Sequence, residues 1–140
     1  MSRVRIVVID DNPGDVLLLR YAFDRHEEAY DLEVLKDGEE ALHFIREYNT
    51  HRHASQPCVI VLDLHLPRYD GLAVLRAIKR EPALADIHVV IFTTQATPEE
   101  EREMLKLGVR LYCPKPMNLD DLTSVAEQIL EICKEPAAVV

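Results

Sequence analysis

The stretch VRIVVIDDNPGD, residues 4–15, runs a short apolar segment into two adjacent acids and then into a turn. A run this short and rich in β-branched side chains reads as a buried strand. Asn12-Pro13-Gly14-Asp15 places a capping side chain, then proline at the first helical position, then an acid three residues beyond the cap, so a helix opens directly afterwards. Asp10 and Asp11 therefore stand at the carboxyl end of a strand. Neighbouring anions there repel, and a cation, a shared proton or solvent has to offset the cost.

The same strand–turn–helix unit recurs along the chain. Further apolar runs are LEVL (32–35), CVIVL (58–62), HVVIF (88–92) and VRLYC (109–113), separated and followed by segments of helical periodicity. The clearest helical face is Leu119, Leu122, Val125, Ala126, Ile129, Leu130 and Cys133. Thr97-Pro98-Glu99-Glu100 and Asn118-Leu119-Asp120-Asp121 carry start signals like that after Asp11. Five such alternations predict an α/β domain with a parallel sheet. Runs one, three and four are mostly apolar, as strands covered on both faces must be. Glu33 and Arg110 interrupt runs two and five, which suits edges. With right-handed crossovers the expected order is 2-1-3-4-5, the flavodoxin-like (βα)5 three-layer sandwich.

One hundred and forty residues with 48% apolar content fit one domain, 1–140, with no output domain expected. A net charge of −9 argues against a nucleic-acid surface. Cys58, Cys113 and Cys133 are far apart in sequence and lack metal-type spacing, so reduced, mostly buried thiols are expected. The first residues lack the apolar run of a signal peptide, and no stretch approaches the roughly 20 residues of a membrane span. These features predict a cytoplasmic protein without a membrane partner.

In an open α/β sheet, ligands bind beyond the carboxyl ends of the strands where the winding reverses, here between strands one and three. Asp10 and Asp11 end strand one and Asp63 ends strand three, so three carboxylates converge there. Their hard oxygen ligands suit Mg²⁺ (or Mn²⁺), an ion that keeps part of its water and is often completed by a phosphate. Thr93 and Thr94 end strand four, and Lys115 follows strand five at the same edge. Acids, hydroxyl and ammonium together suit phosphoryl transfer to a carboxylate, where catalysis is mostly positioning and charge neutralisation. His51 and His53 fall in a polar connection with no third ligand nearby and read as solvated loop, while the acid-rich Glu99–Glu103 segment is explained by the helix dipole.

With IVVIDDN, VLDLHLPRYDG, IFTT and YCPKP in place, the chain resembles the receiver domains of two-component response regulators over nearly its whole length. DDNPGD together with DLHLPRYDGLAVL resembles the single-domain receivers that partner phytochrome-type histidine kinases. The resemblance implies that Asp63 accepts a phosphoryl group from a kinase phosphohistidine. It implies that Asp11 binds Mg²⁺ directly and Asp10 largely through water, with the backbone carbonyl of His65 as a further ligand. Lys115 would bridge to the phosphoryl oxygens and Thr93 would move toward them, with Tyr112 as the switch aromatic and Lys115-Pro116 as a cis peptide. His65 and Thr94 occupy positions where the family varies, and are expected to tune the lifetime of the acyl phosphate.

Three other functions compete with a phosphorylation switch. A Mg²⁺-dependent phosphohydrolase using an aspartyl phosphate needs an acid two residues after its nucleophile, where this chain has His65. A flavodoxin-like electron carrier needs a phosphate-binding first loop, and DDNPGD would repel that anion. A pseudo-receiver that binds partners without phosphorylation is opposed by the intact acid, hydroxyl and lysine set. Only intrinsic autophosphorylation and autodephosphorylation are expected, not a dedicated enzyme. The fourth helix, fifth strand and fifth helix are the expected face for a homodimer.

Overall fold

The computed structural model describes residues 3–48 and 56–136; His51 and His53 lie outside the described residues. Strands and helices alternate as β1 (Val4–Ile9), α1 (Pro13–Asp24), β2 (Tyr30–Leu35), α2 (Gly38–Tyr48), β3 (Val59–Leu62), α3 (Gly71–Arg80), β4 (His88–Thr93), α4 (Pro98–Lys106), β5 (Leu111–Pro114) and α5 (Leu119–Ile132). All pairings are parallel, and the sheet order is β2-β1-β3-β4-β5, as the sequence predicts.

Side chains alternate across a strand, so each central strand feeds two cores. Ile6, Val8, Val59, Val61, Val90 and Phe92 pack with Leu19, Phe23, Ala126 and Ile129 on the α1/α5 side. Val7, Ile9, Ile60, Leu62, Val89 and Ile91 pack with Ala41, Ile45, Val74 and Leu75 on the opposite side. Burial on both faces is why the three central runs are apolar throughout.

Register then places the polar tips. Ile9 pairs with Leu62, so Asp10 and Asp63 leave the sheet side by side; Thr93 pairs with Pro114, so Lys115 follows directly. The loop after Asp63 is pinned by Gly71. Its N–H donates to the Leu64 carbonyl at 3.2 Å, and a Cβ on Gly71 would run into the Leu64 backbone. Asp70 caps α3 by accepting from the Leu72 N–H at 3.0 Å.

Three expectations need correction. The fifth strand begins at Leu111, because Val109 is used to close α4: Gly108 adopts φ 72° and donates to Leu105, and the Val109 N–H donates to Met104 at 3.1 Å. Arg110, inside the expected run, precedes β5 and pairs with Glu135 at 2.7 Å, while β5 lies at the sheet edge as its charge suggests. The cysteines are not all reduced. Cys58 and Cys133, 75 residues apart, form a disulfide across a Cα–Cα distance of 5.0 Å, because β3 starts and α5 ends at the same edge of the sheet. Cys113 is free and buried, and burial pushes its thiol pKa up. Lys115-Pro116 is trans, since no cis peptide bond occurs among the described residues; trans is the ordinary preference of an X–Pro bond. Among those residues no helix is long and apolar enough to cross a membrane.

Candidate functional site

The site is assembled from four strand ends. Asp10 is held by its own turn: its N–H donates to the Leu35 carbonyl at 3.0 Å, and its Oδ1 accepts from the Asn12 N–H at 2.9 Å. Asn12 in turn caps α1 by accepting from the Gly14 and Asp15 N–H groups at 2.9 and 3.2 Å. Asp63 is anchored by its N–H to the Ile9 carbonyl at 2.9 Å. Its Oδ1 accepts from the His65 N–H at 2.9 Å and from the Thr93 hydroxyl at 2.7 Å.

Lys115 reaches this cluster because its N–H donates to the Thr93 carbonyl at 2.7 Å, which extends the β4–β5 pairing by one bond. Its ammonium lies 2.9 Å from Asp63 Oδ2, 3.0 Å from Asp10 Oδ2 and 2.7 Å from Asp15 Oδ2, and 5.7 Å from the centre of the Phe92 ring. Asp15 carried no assigned role in the sequence. The signal available was its place in the first turn of α1, on the side facing the strand ends.

Burial and charge act differently on the two inner carboxylates. Burial raises the pKa of Asp10, and the Asn12 N–H and Lys115 only partly offset it. Burial also opposes ionisation of Asp63, but the His65 N–H, Lys115 and Thr93 together prevail and hold its pKa below the usual value. Burial works against the charged form of Lys115 too, yet the carboxylates of Asp15, Asp63 and Asp10 override it and push its pKa up. The result is an ionised Asp63 between an ammonium and a hydroxyl, the state a carboxylate nucleophile needs.

Asp10, Asp11 and Asp63 offer carboxylate oxygens that all lie within 4.8 Å of one another, with Asp10 and Asp63 buried and Asp11 exposed. Three hard oxygen donors with one open side fit a divalent cation that retains water. His65 follows Asp63 with its side chain 43% exposed; Nδ1 lies 3.2 Å from Thr93 Oγ1 and Nε2 lies 3.5 Å from Glu100 Oε1. The Tyr112 hydroxyl accepts from the Ala96 N–H at 3.0 Å, tying β5 to the loop before α4. Thr94 is exposed beyond β4, and no hydrogen bond joins it to the cluster among the described residues. The structure thus brings together Asp10, Asp11, Asp63, Thr93, His65 and Lys115, adds Asp15 and Glu100, and leaves Thr94 aside.

A parallel 2-1-3-4-5 sheet with acids, hydroxyl and lysine at one edge defines a receiver-type α/β domain. Residues 6–127 match the response regulator receiver domain, and the chain belongs to that family. It is 32% identical to the response regulator Rcp1 of Synechocystis sp. over 137 residues, 95% of this chain and 93% of that protein. It is 35% identical to the probable methanogenesis regulatory protein FilR2 of Methanothrix harundinacea over 126 residues, 90% of this chain and 81% of that protein. Among solved structures it resembles the phosphorylated cyanobacterial phytochrome response regulator RcpA, with a TM-score of 0.84, 29% identity and coverage of 99% of this chain and 100% of the other. The Mn²⁺-bound form of Rcp1 is similar as well, with a TM-score of 0.81, 28% identity and coverage of 97% and 99%.

Proposed function

We propose that the protein is a stand-alone phosphorylation switch in which Asp63 accepts a phosphoryl group from a histidine kinase phosphohistidine. The observation that carries this reading is Asp63 itself: an ionised carboxylate with Lys115 on Oδ2, Thr93 on Oδ1, and Asp10 and Asp11 alongside. In the proposed reaction an Asp63 oxygen attacks phosphorus, the phosphorus–nitrogen bond breaks, and the imidazole leaves with the electron pair and takes up a proton. Self-dephosphorylation is attack of water on the same phosphorus, returning the carboxylate and releasing phosphate. Asp11, Asp63 and the His65 carbonyl would hold Mg²⁺ directly and Asp10 largely through water. When bound, the ion supplies charge neutralisation for the phosphoryl oxygens.

The chain's own residues supply the rest. Lys115 shields the transferred oxygens as a point charge, and the Thr93 hydroxyl turns from carboxylate to phosphoryl. Tyr112, bonded to Ala96, carries that movement toward β5 and α4 by biasing an existing equilibrium. Thr94 keeps a tuning role in this reading through its place beside Thr93. The likeness to the cyanobacterial phytochrome response regulator RcpA supports a phytochrome-type kinase as partner. The exposed Leu17, Leu18 and Tyr21 on α1, a helix that opens at the site, support docking of a protein surface. Self-association through α4, β5 and α5 belongs to the same proposal.

The test is incubation with acetyl phosphate, with and without Mg²⁺, followed by intact mass. One Mg²⁺-dependent phosphoryl adduct that disappears in Asp63→Asn is expected. No adduct, with Mg²⁺ binding shown separately, would replace the reading with a pseudo-receiver. Continuous phosphate release from a panel of esters would replace it with a phosphohydrolase.

A further inference from the structure

The chain leaves α5 along the amino ends of three neighbouring strands and is tied beside each of them. β3, β4 and β5 are adjacent in the sheet, with Val59 paired to His88 and the Arg110 N–H donating to the Val89 carbonyl at 2.8 Å. Just before β3, Cys58 is joined to Cys133, the C-cap residue of α5. At the start of β4, His88 Nε2 lies 2.8 Å from the Pro136 carbonyl, which only accepts, so the ring nitrogen donates. Before β5, Arg110 holds Glu135 through two contacts, Nε to Oε1 at 2.9 Å and Nη2 to Oε2 at 2.7 Å. Lys134, between the cysteine and Glu135, pairs with Glu28 at 2.7 Å. Of these ties only the disulfide is covalent, and both of its cysteines are half-buried rather than sealed in the core. The buried thiol of Cys113 takes no part in it.

We propose that Cys58 and Cys133 form a thiol-exchange site, opened by a dithiol reductant, whose state decides whether residues 134–136 stay bound to the amino edge of the sheet. A thiolate of the dithiol attacks one sulfur, the Cys58–Cys133 bond breaks and the other sulfur leaves as thiolate. The second thiol of the reductant then attacks the mixed disulfide and frees the remaining cysteine. Two electrons and two protons thereby pass to Cys58 and Cys133, and the dithiol becomes a cyclic disulfide; a small disulfide oxidant reverses the exchange. Half-buried sulfurs at a sheet edge are within reach of such an attack. The reduced state has a place ready as well: the Arg5 carbonyl lies 3.2 Å from Cys58 Sγ, where it accepts the S–H that reduction creates. Once reduced, the segment keeps the His88 bond and two ion pairs whose side chains water reaches, and such pairs hold a chain far less firmly than a covalent link. The last turn of α5 then frays and releases Glu135 and Pro136. Cys58 precedes β3 and Asp63 follows it, so this site lies at the opposite edge from the phosphoacceptor and does not depend on the reading of Asp63.

The test takes the folded wild-type protein through reduction. It is incubated with a thioredoxin-type dithiol protein in a glutathione buffer poised as in a reducing cell, then trapped with maleimide and weighed intact. Uptake of two maleimides is expected, on Cys58 and Cys133, with the buried Cys113 unlabelled. The Lys134 and Glu135 amides donate to the Glu131 and Ile132 carbonyls at 3.0 Å each, and their hydrogen exchange is expected to be at least about fivefold faster in the reduced protein. Cys58→Ser, whose hydroxyl still donates to the Arg5 carbonyl, should exchange at the reduced rate and ignore the reductant. Reduced wild type supplies the same comparison without a substitution, so the result does not hang on that variant folding. A disulfide that stays closed in the folded protein at that poise overturns the proposal, since the bond is then structural only. A bond that opens while exchange at Lys134 and Glu135 is unchanged overturns it equally. So does protein purified without reductant that carries both thiols and does not close the bond with glutathione disulfide.

Discussion

Lys115→Met removes one positive charge and keeps most of the side-chain volume over Phe92. In wild type the ammonium is 2.7, 2.9 and 3.0 Å from Asp15, Asp63 and Asp10, and the side chains of Asp10, Asp63 and Lys115 are 3%, 7% and 10% exposed. Taking the partner from buried charges costs about 3–5 kcal/mol, mainly because the remaining charge stays desolvated. The lower end applies here, since Asp15 is 31% exposed and Asp11 is open to water. The expected loss is about 3 kcal/mol in EDTA. With a urea slope of about 1–3 kcal/mol per molar, the unfolding midpoint falls by roughly 1–3 M. A divalent cation should then recover more stability in the variant than in wild type, because the carboxylates no longer share their charge with an ammonium. At about 100 times its dissociation constant the cation adds about 2.7 kcal/mol, near the whole deficit. The assay is urea unfolding of both proteins in EDTA and in excess Mg²⁺. A variant within about 0.5 kcal/mol of wild type in EDTA, the range of ordinary surface changes, refutes the argument. An equal Mg²⁺ increment in the two proteins refutes it as well.

Asp10→Asn should act in the opposite direction. The Asp10 pKa is raised from 3.8, so its ionisation weakens the metal-free fold as pH rises from 3.8 through the higher folded value; the variant should therefore be more stable than wild type in EDTA at neutral pH, and should lose that advantage below pH 3.8. Thermal melts across pH check this, and a variant less stable at pH 7 sinks it. Gly71→Ala should destabilise by about 1–3 kcal/mol, the usual cost of overpacking, because the new methyl meets the Leu64 backbone. Leu64 lies between Asp63 and His65, so the acetyl phosphate reaction should slow with it; a variant matching wild type in both melting and phosphorylation rate would refute the pinning role.

Strand order and the inner acids are legible in sequence because both follow from local rules. A buried parallel strand must be apolar on both faces, so the runs at 4–9, 58–62 and 88–92 announce the centre and their polar successors announce the site. Asn12, Thr97 and Asn118 mark helix starts with side chains that cap them in the structure. What stays hidden depends on contacts between distant segments. Asp15 reads as a first-turn acid until α1 is set against Lys115, 100 residues on. Glu100 reads as half of a capping box until β4 and the turn after it bring the start of α4 beside His65. Cys58 and Cys133 read as independent thiols because a spacing of 75 residues says nothing about which strand end meets which helix end. Arg110 marks the edge correctly, since β5 closes the sheet, and only its place just before the strand depends on how α4 ends.

Formal charge gives the reason why, in the proposed reaction, a cation would have to be bound before Asp63 takes a phosphoryl group. Asp10, Asp15 and Asp63 share the ammonium of Lys115 and Asp11 lies beside Asp10 and Asp63, so the cluster is anionic as folded. In the proposed reaction an acyl phosphate of about −2 replaces the single charge of Asp63. Lys115, already divided among three carboxylates, cannot serve the new oxygens without releasing Asp10 or Asp15. Burial, with the neighbouring Asp63 charge adding to it, already raises the pKa of Asp10 in the resting state. A divalent cation held by Asp11 and Asp63 directly and by Asp10 largely through water would lessen the demand these acids place on the lysine, and would leave Lys115 free to follow the phosphoryl group. In the proposed reaction the adjacent acids at the end of β1 would therefore act on the lysine as much as on the ion, making its transfer from carboxylate to phosphoryl depend on the metal.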